Sequence, residues 1–125
     1  YRHLGSTGYE WLSRDPKVVA TAAADPLMFI ANGMKLFGIA DSLRLLGKPA
    51  KGIEHDIPVL IQVGSNDSVG GVKSNELLAQ AYLERSGLSD VELIVYTDAQ
   101  HEIFNETNKD EVVADTLHWL VDRVA

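Results

Sequence analysis

Cysteine is absent from the 125 residues. Its absence excludes a disulfide framework, a thiolate metal site and a thiol nucleophile. It also fits a reducing compartment, with the cytoplasm as the expected location. Positive charge is the next shortage: 11 lysines and arginines stand against 18 acids, a formal net charge of −7. Such a balance argues against nucleic acid and anionic membrane surfaces as partners. No apolar run is long enough to span a bilayer, and no signal peptide opens the chain. Three chemical signatures are missing as well: Gly-x-Ser-x-Gly, His-Glu-x-x-His and a phosphate-binding glycine loop. No metal or cofactor is therefore expected. The chain opens on Tyr1 rather than Met, so further sequence upstream is expected.

What is present is ordinary globular material, 46% hydrophobic and 23% charged, enough for one domain with a core. Asp15-Pro16 starts a short helix that stops before Asp25-Pro26, because a residue preceding proline is pushed out of helical geometry. Leu27 to Ile30 is an apolar cluster without a period. From Met34, the residues Leu36, Ile39, Ala40, Leu43 and Leu46 recur at helical spacing, and Gly47 and Pro49 supply a stop. The run Ile57 to Val63 is short, continuous and β-branched, which suits a strand covered on both faces. Ser74 is placed to cap a helix that Gly87 closes, and Val91 to Tyr96 reads as a second buried strand. Asn108 and Glu111 have capping-box spacing ahead of a last helix, whose expected buried stripe is Val113, Leu117, Leu120 and Val124. From Ile57 the order is strand, helix, strand, helix, the pattern of a parallel crossover.

Asp67 follows the first strand and His101 follows the second. Open α/β sheets place catalytic groups at this carboxyl end of their strands. A carboxylate there can hold an imidazole in one tautomer, and the imidazole can act as general base and then general acid. An acid after one strand and a histidine after the next is also how an α/β-hydrolase presents two members of its triad. Bland readings fit the same positions: a turn aspartate bonding its own backbone, and a solvated loop histidine. His118 reads as a surface residue of the last helix, and His55 lies at the opposite end of the first strand.

Four stretches together resemble the monoacylglycerol lipase and lysophospholipase group of α/β-hydrolases, also classed with the serine aminopeptidases. They are Glu10 to Pro16, Ala24 to Leu27, Pro58 to Gly64 with Asp67, and Tyr96 to Glu106 followed by Asp110 to Leu120. The most specific is His101-Glu-Ile-Phe-Asn-Glu106. The resemblance implies the C-terminal part of an α/β-hydrolase sheet, parallel strands flanked by helices, preceded by a helical cap segment. It divides the chain into a cap-derived segment over 1–56 and a βαβα part of the core over 57–125. It implies Asp67 as triad acid and His101 as triad histidine, with the serine upstream. Leu27, Met28, Phe29, Met34 and Phe37, with Ile30, become candidates to line an acyl chain, core packing being the alternative. Two positions depart from the family's pattern. Asp98 stands where a small residue, often glycine, is usual, and Ser68 where proline is typical.

Two functions follow as expectations. The first is part of a serine carboxylester hydrolase acting on a small lipid-like ester, inactive as this chain alone for want of its nucleophile. The alternative is a non-catalytic α/β binding module or a degenerate hydrolase fragment. Half a parallel sheet leaves an uncovered strand edge, so self-association, or pairing with a missing N-terminal half, is expected of the chain.

Overall fold

A computed structural model describes residues 5–29, 31–45 and 47–124. Ile30 and Leu46, named above as apolar positions, and His3 lie outside the described residues. Helix α1 spans Pro16–Ala24, α2 Gly33–Leu45, strand β1 Val59–Gly64, α3 Gly71–Ala81, β2 Val91–Tyr96 and α4 Lys109–Val124. A π-helical turn over Tyr82–Ser86 continues α3, and a 3-10 turn over Ile103–Asn105 leads towards α4.

Helix α1 forms as its sequence dictates. The Asp15 carboxylate accepts the Lys17 N–H at 2.8 Å, Pro16 takes the first turn, and Asp25 ends the helix in extended geometry. Gly87 closes the α3 segment in left-handed conformation, φ 77°. The helical spacing from Met34 gives α2, but Gly38 interrupts it with φ 74° and ψ 171°. Leu36, Ile39 and Leu43 on α2 are exposed rather than buried.

Strands β1 and β2 pair in parallel, in register from Val59 opposite Val91 to Gly64 opposite Tyr96. Residues opposite one another share a face. One face is thus entirely apolar: Val59, Ile61 and Val63 beside Val91, Leu93 and Val95. The other carries Gln62, Ile94 and Tyr96, and α4 packs there. Tyr96, Ala99, Ile103 and Val112 form a buried cluster with Ile94 against it. Polar ties fix the helix over this face. Gln62 donates to the Tyr96 hydroxyl at 2.7 Å, Tyr96 donates to Asp115 at 3.2 Å, and Thr116 donates to Gln62 at 3.2 Å. Burial, with the nearby Asp115 carboxylate, pushes the Tyr96 hydroxyl up to about 12, so it remains a donor. At the far end Arg123 makes a forked contact with Asp90 at 2.6 and 2.9 Å and lies over the Trp119 ring.

Three local expectations are corrected. Strand β1 begins at Val59, leaving Ile57 half exposed. Helix α3 starts at Gly71, three residues before Ser74, because Gly71 takes φ 67° and turns the loop directly into the helix. The Asn108–Glu111 pair meets side chain to side chain at 2.7 Å instead of forming a reciprocal capping box. The side-chain oxygen Oδ1 of Asn108 is already taken by the Arg14 guanidinium, also at 2.7 Å.

The largest correction concerns α4. Val113, Leu117, Leu120 and Val124 are exposed, Leu117 by 57%. The sheet is met instead by Val112, Asp115, Thr116 and Arg123. Two strands make a floor for one line of helical residues only, and the polar ties select which line that is. Val112→Ala should therefore cost about 2 kcal/mol, while Leu117→Ala should stay within about 0.5 kcal/mol. Urea unfolding of the two variants checks the assignment; a larger loss from Leu117→Ala than from Val112→Ala would mean that the stripe at 113, 117 and 120 is the buried one.

Candidate active site: an acid and a histidine on adjoining loops

β1 and β2 end side by side, so the loops that follow leave from one rim of the sheet. They are stitched together by backbone bonds. Ser65 N–H donates to the Tyr96 carbonyl and Asn66 N–H to the Ala99 carbonyl, both at 2.9 Å. Gly64 makes this approach possible, since a Cβ there would run into the carbonyl oxygens of Ala99 and Gln100. Asp98 adopts φ 60°, the left-handed geometry its glycine-like position requires. Its N–H donates to the Ser65 hydroxyl at 2.8 Å, and its carbonyl accepts from the Asn66 amide at 3.3 Å.

On this frame both oxygens of Asp67 lie 3.1 Å from Nδ1 of His101. A carboxylate only accepts, so Nδ1 carries the proton and Nε2 becomes the basic ring atom. The Asp67 side chain is 9% exposed and that of His101 38%, giving a shielded acid and a reachable imidazole. The Asp67 oxygen Oδ1 also accepts the Val69 N–H at 2.7 Å. The turn reading and the pairing reading of Asp67 are therefore met by one side chain. This turn shapes the acid loop although Ser68 replaces the usual proline.

Further residues shape the site, and sequence reasoning gave none of them a role. Trp11 places its ring 5.3 Å from the imidazole at 41°. Its carbonyl accepts the His101 N–H at 3.2 Å, and the Leu12 carbonyl accepts the Glu102 N–H at 2.8 Å. Glu106 is buried among the N–H groups of Gln100, Arg14 and Thr107 and the Arg14 guanidinium. Burial alone would raise its carboxyl; these donors outweigh burial and hold it below its ordinary value. Gln100 and Arg14 also line a concavity of about 540 Å³, together with Val19, Ala20, Asn66 and Asp98. The Arg14–Glu106 pair spans 92 residues, a separation at which no local pattern gives a signal.

Most of the apolar candidates lie on the surface of this chain. Leu27, Phe29, Met34 and Phe37 are well exposed, Leu27 by 82%, and Met28 is just over a third exposed. The Tyr9 hydroxyl holds the segment by donating to the Met28 carbonyl at 3.2 Å. His118 pairs with Asp122 on the exposed side of α4, as a surface helical residue would. Among the described residues, no three His, Asp or Glu side chains cluster in a way that could hold a metal ion, and no helix is long and apolar enough to cross a membrane.

A parallel sheet with an acid and a histidine on successive loops at its carboxyl rim has the character of an α/β-hydrolase, and the comparisons agree. The chain belongs to the serine aminopeptidase S33 family, whose model matches residues 2–108. It is 35% identical to a monoacylglycerol lipase of Mycolicibacterium smegmatis over 115 residues, 90% of this chain and 39% of that protein. The crystal structure of Paleococcus ferrophilus monoacylglycerol lipase superposes with a TM-score of 0.64 at 25% identity, covering 90% of this chain and 42% of that one. The fold is thus part of an α/β-hydrolase domain, and the chain spans about two fifths of the length of these relatives.

The Glu106 carboxylate should make acid stability measurable. Its folded value lies below its ordinary 4.5. The stabilisation it supplies is therefore present above that value and is lost as pH falls through the folded one. Glu106→Gln should be less stable than the parent by roughly 2 kcal/mol at neutral pH. The gap should close as the pH drops below 4.5. Urea midpoints of both proteins at several pH values test this; a gap independent of pH would contradict it.

Proposed function

We propose that this chain is the part of a serine carboxylester hydrolase that supplies the triad acid, Asp67, and the triad histidine, His101. The nucleophilic serine is supplied by sequence outside these residues, which contain no Gly-x-Ser-x-Gly. The observation that carries the reading is the 3.1 Å contact between Asp67 and Nδ1 of His101 at the carboxyl rim of a parallel sheet. Membership of a serine hydrolase family and likeness to monoacylglycerol lipases support it.

In this reading Nε2 of His101 takes the proton of the serine hydroxyl as that oxygen attacks the ester carbonyl. The carbonyl π-bond opens to an oxyanion, and Asp67 stabilises the imidazolium that results. The imidazolium gives its proton to the leaving alcohol as the C–O bond breaks, leaving an acyl-serine. Water then attacks the acyl group with His101 again as base, releasing the acid and restoring the serine. The substrate is a small lipid-like ester. The exposed apolar residues Leu27, Met28, Phe29, Met34 and Phe37 would line its acyl chain once the rest of the domain covers them. Residues 1–56 belong to the cap side of that arrangement and 57–125 to the core. By itself the chain should not turn over ester.

Two experiments test the reading. In the full-length protein a fluorophosphonate probe should label one serine. His101→Ala should abolish that labelling, and Asp67→Asn should slow turnover on the order of 10⁴-fold. Absence of a labelled serine, or labelling indifferent to His101, would sink the proposal. In the isolated chain, the sheet edges that no third strand covers among the described residues, and the exposed stripe at Val113, Leu117 and Leu120, should drive self-association. In the intact protein the N-terminal part of the domain covers this surface. Light scattering on the isolated chain should give a mass above 13.7 kDa; a clean monomer at high concentration contradicts the expectation.

A further inference from the structure

We propose that the Arg14–Glu106 clasp is a positioning device for the His101 imidazole. Glu106 touches neither Asp67 nor the ring. It acts through the backbone on either side of His101. Its side chain is fully buried, and all the donors it accepts from lie on two chain segments that run past each other. Oε1 accepts the Gln100 N–H at 2.7 Å and the Arg14 N–H at 3.1 Å. Oε2 accepts the Arg14 Nε–H at 2.9 Å and the Thr107 N–H at 3.0 Å. Gln100 immediately precedes His101, so one carboxylate fixes the Ala99–Gln100 peptide, one step ahead of the histidine.

The peptides that enter and leave it are held by the segment just before Arg14. His101 N–H donates to the Trp11 carbonyl and Glu102 N–H to the Leu12 carbonyl. The Trp11 ring meets the imidazole at a tilt, and the Ser13 hydroxyl donates to the Asn105 carbonyl at 2.8 Å. Residues 11–14 therefore splint residues 101–106, and Glu106 is the point at which splint and loop are riveted. A buried carboxylate is a poor choice if stability alone were needed, because desolvating a charge opposes folding. Its merit is directional: four donors at fixed angles permit one arrangement of the two segments. The same splint leads into α1, since the Asp15 N–H donates to the Ser13 hydroxyl at 2.9 Å. The apolar Leu27–Phe29 segment that follows α1 is thereby kept in a defined relation to the imidazole.

The readout is the tautomer of His101, measured by long-range ¹H–¹⁵N correlation of the neutral ring in the full-length protein. The parent should show one tautomer, with the proton on Nδ1. In Glu106→Gln the amide NH₂ faces the Arg14 Nε–H and the Thr107 N–H, donor against donor. The ring nitrogens should then shift towards each other as the tautomers average. Arg14→Ala keeps the backbone donors to Glu106 and should give a smaller shift of the same sign. Val112→Ala loosens the adjoining apolar cluster without touching the clasp; it should lower the melting temperature and leave the ring nitrogens unmoved. If Glu106→Gln does not fold, Arg14→Ala decides. A single-tautomer ring unmoved in every folded clasp variant, or moved equally by Val112→Ala, overturns the clasp. The catalytic consequence rests on the triad reading above, and the two failures are distinguishable. A parent ring already averaged counts against the Asp67–His101 pair itself.

Discussion

Gly64 and Tyr96 end their strands opposite one another, and the site depends on that shared end. Because the pairing is parallel and in register, the acid loop and the histidine loop start from neighbouring points and run over the same rim. Gly64 then lets them close against each other, where any side chain would strike the carbonyl oxygens of Ala99 and Gln100. A register slip of one residue would turn every strand side chain to the other face. It would also carry His101 away from Asp67.

Polar groups, not apolar area, choose the arrangement around that rim. The apolar cluster of Tyr96, Ala99, Ile103 and Val112 is small. It would tolerate a helix rotated by one position, since α4 carries a second apolar line at Val113, Leu117 and Leu120. The chain Thr116–Gln62–Tyr96–Asp115 and the Arg123–Asp90 fork do not tolerate it. Glu106 does for the histidine loop what these ties do for α4. Each is a satisfied polar group whose directional bonds permit one packing among several of similar apolar burial.

The exposed apolar surface is consistent with a chain that spans about two fifths of the length of its relatives. Neither strand pairs with a third among the described residues, Val95 is exposed on the apolar face of the sheet, and α2 and α4 both turn apolar residues outward. These features are liabilities in an isolated chain and assets in a larger domain, where the same residues become interior.

The sequence by itself determined the local elements and the identity of the paired residues. β-branched runs gave the strands, Asp15-Pro16 and Gly87 gave helix ends, and the order of Asp67 and His101 on successive loops matched that of an α/β-hydrolase. Those signals are local, carried by neighbours within a few residues, so they could be read in one dimension. The buried face of α4, the start of α3 at Gly71 and the part played by Trp11, Arg14 and Glu106 could not. Each was decided by partners far apart in the chain competing for the same hydrogen-bonding groups. Asn108 shows it in miniature: its spacing to Glu111 is that of a cap, yet Arg14, from 94 residues away, holds the oxygen that the cap would have used.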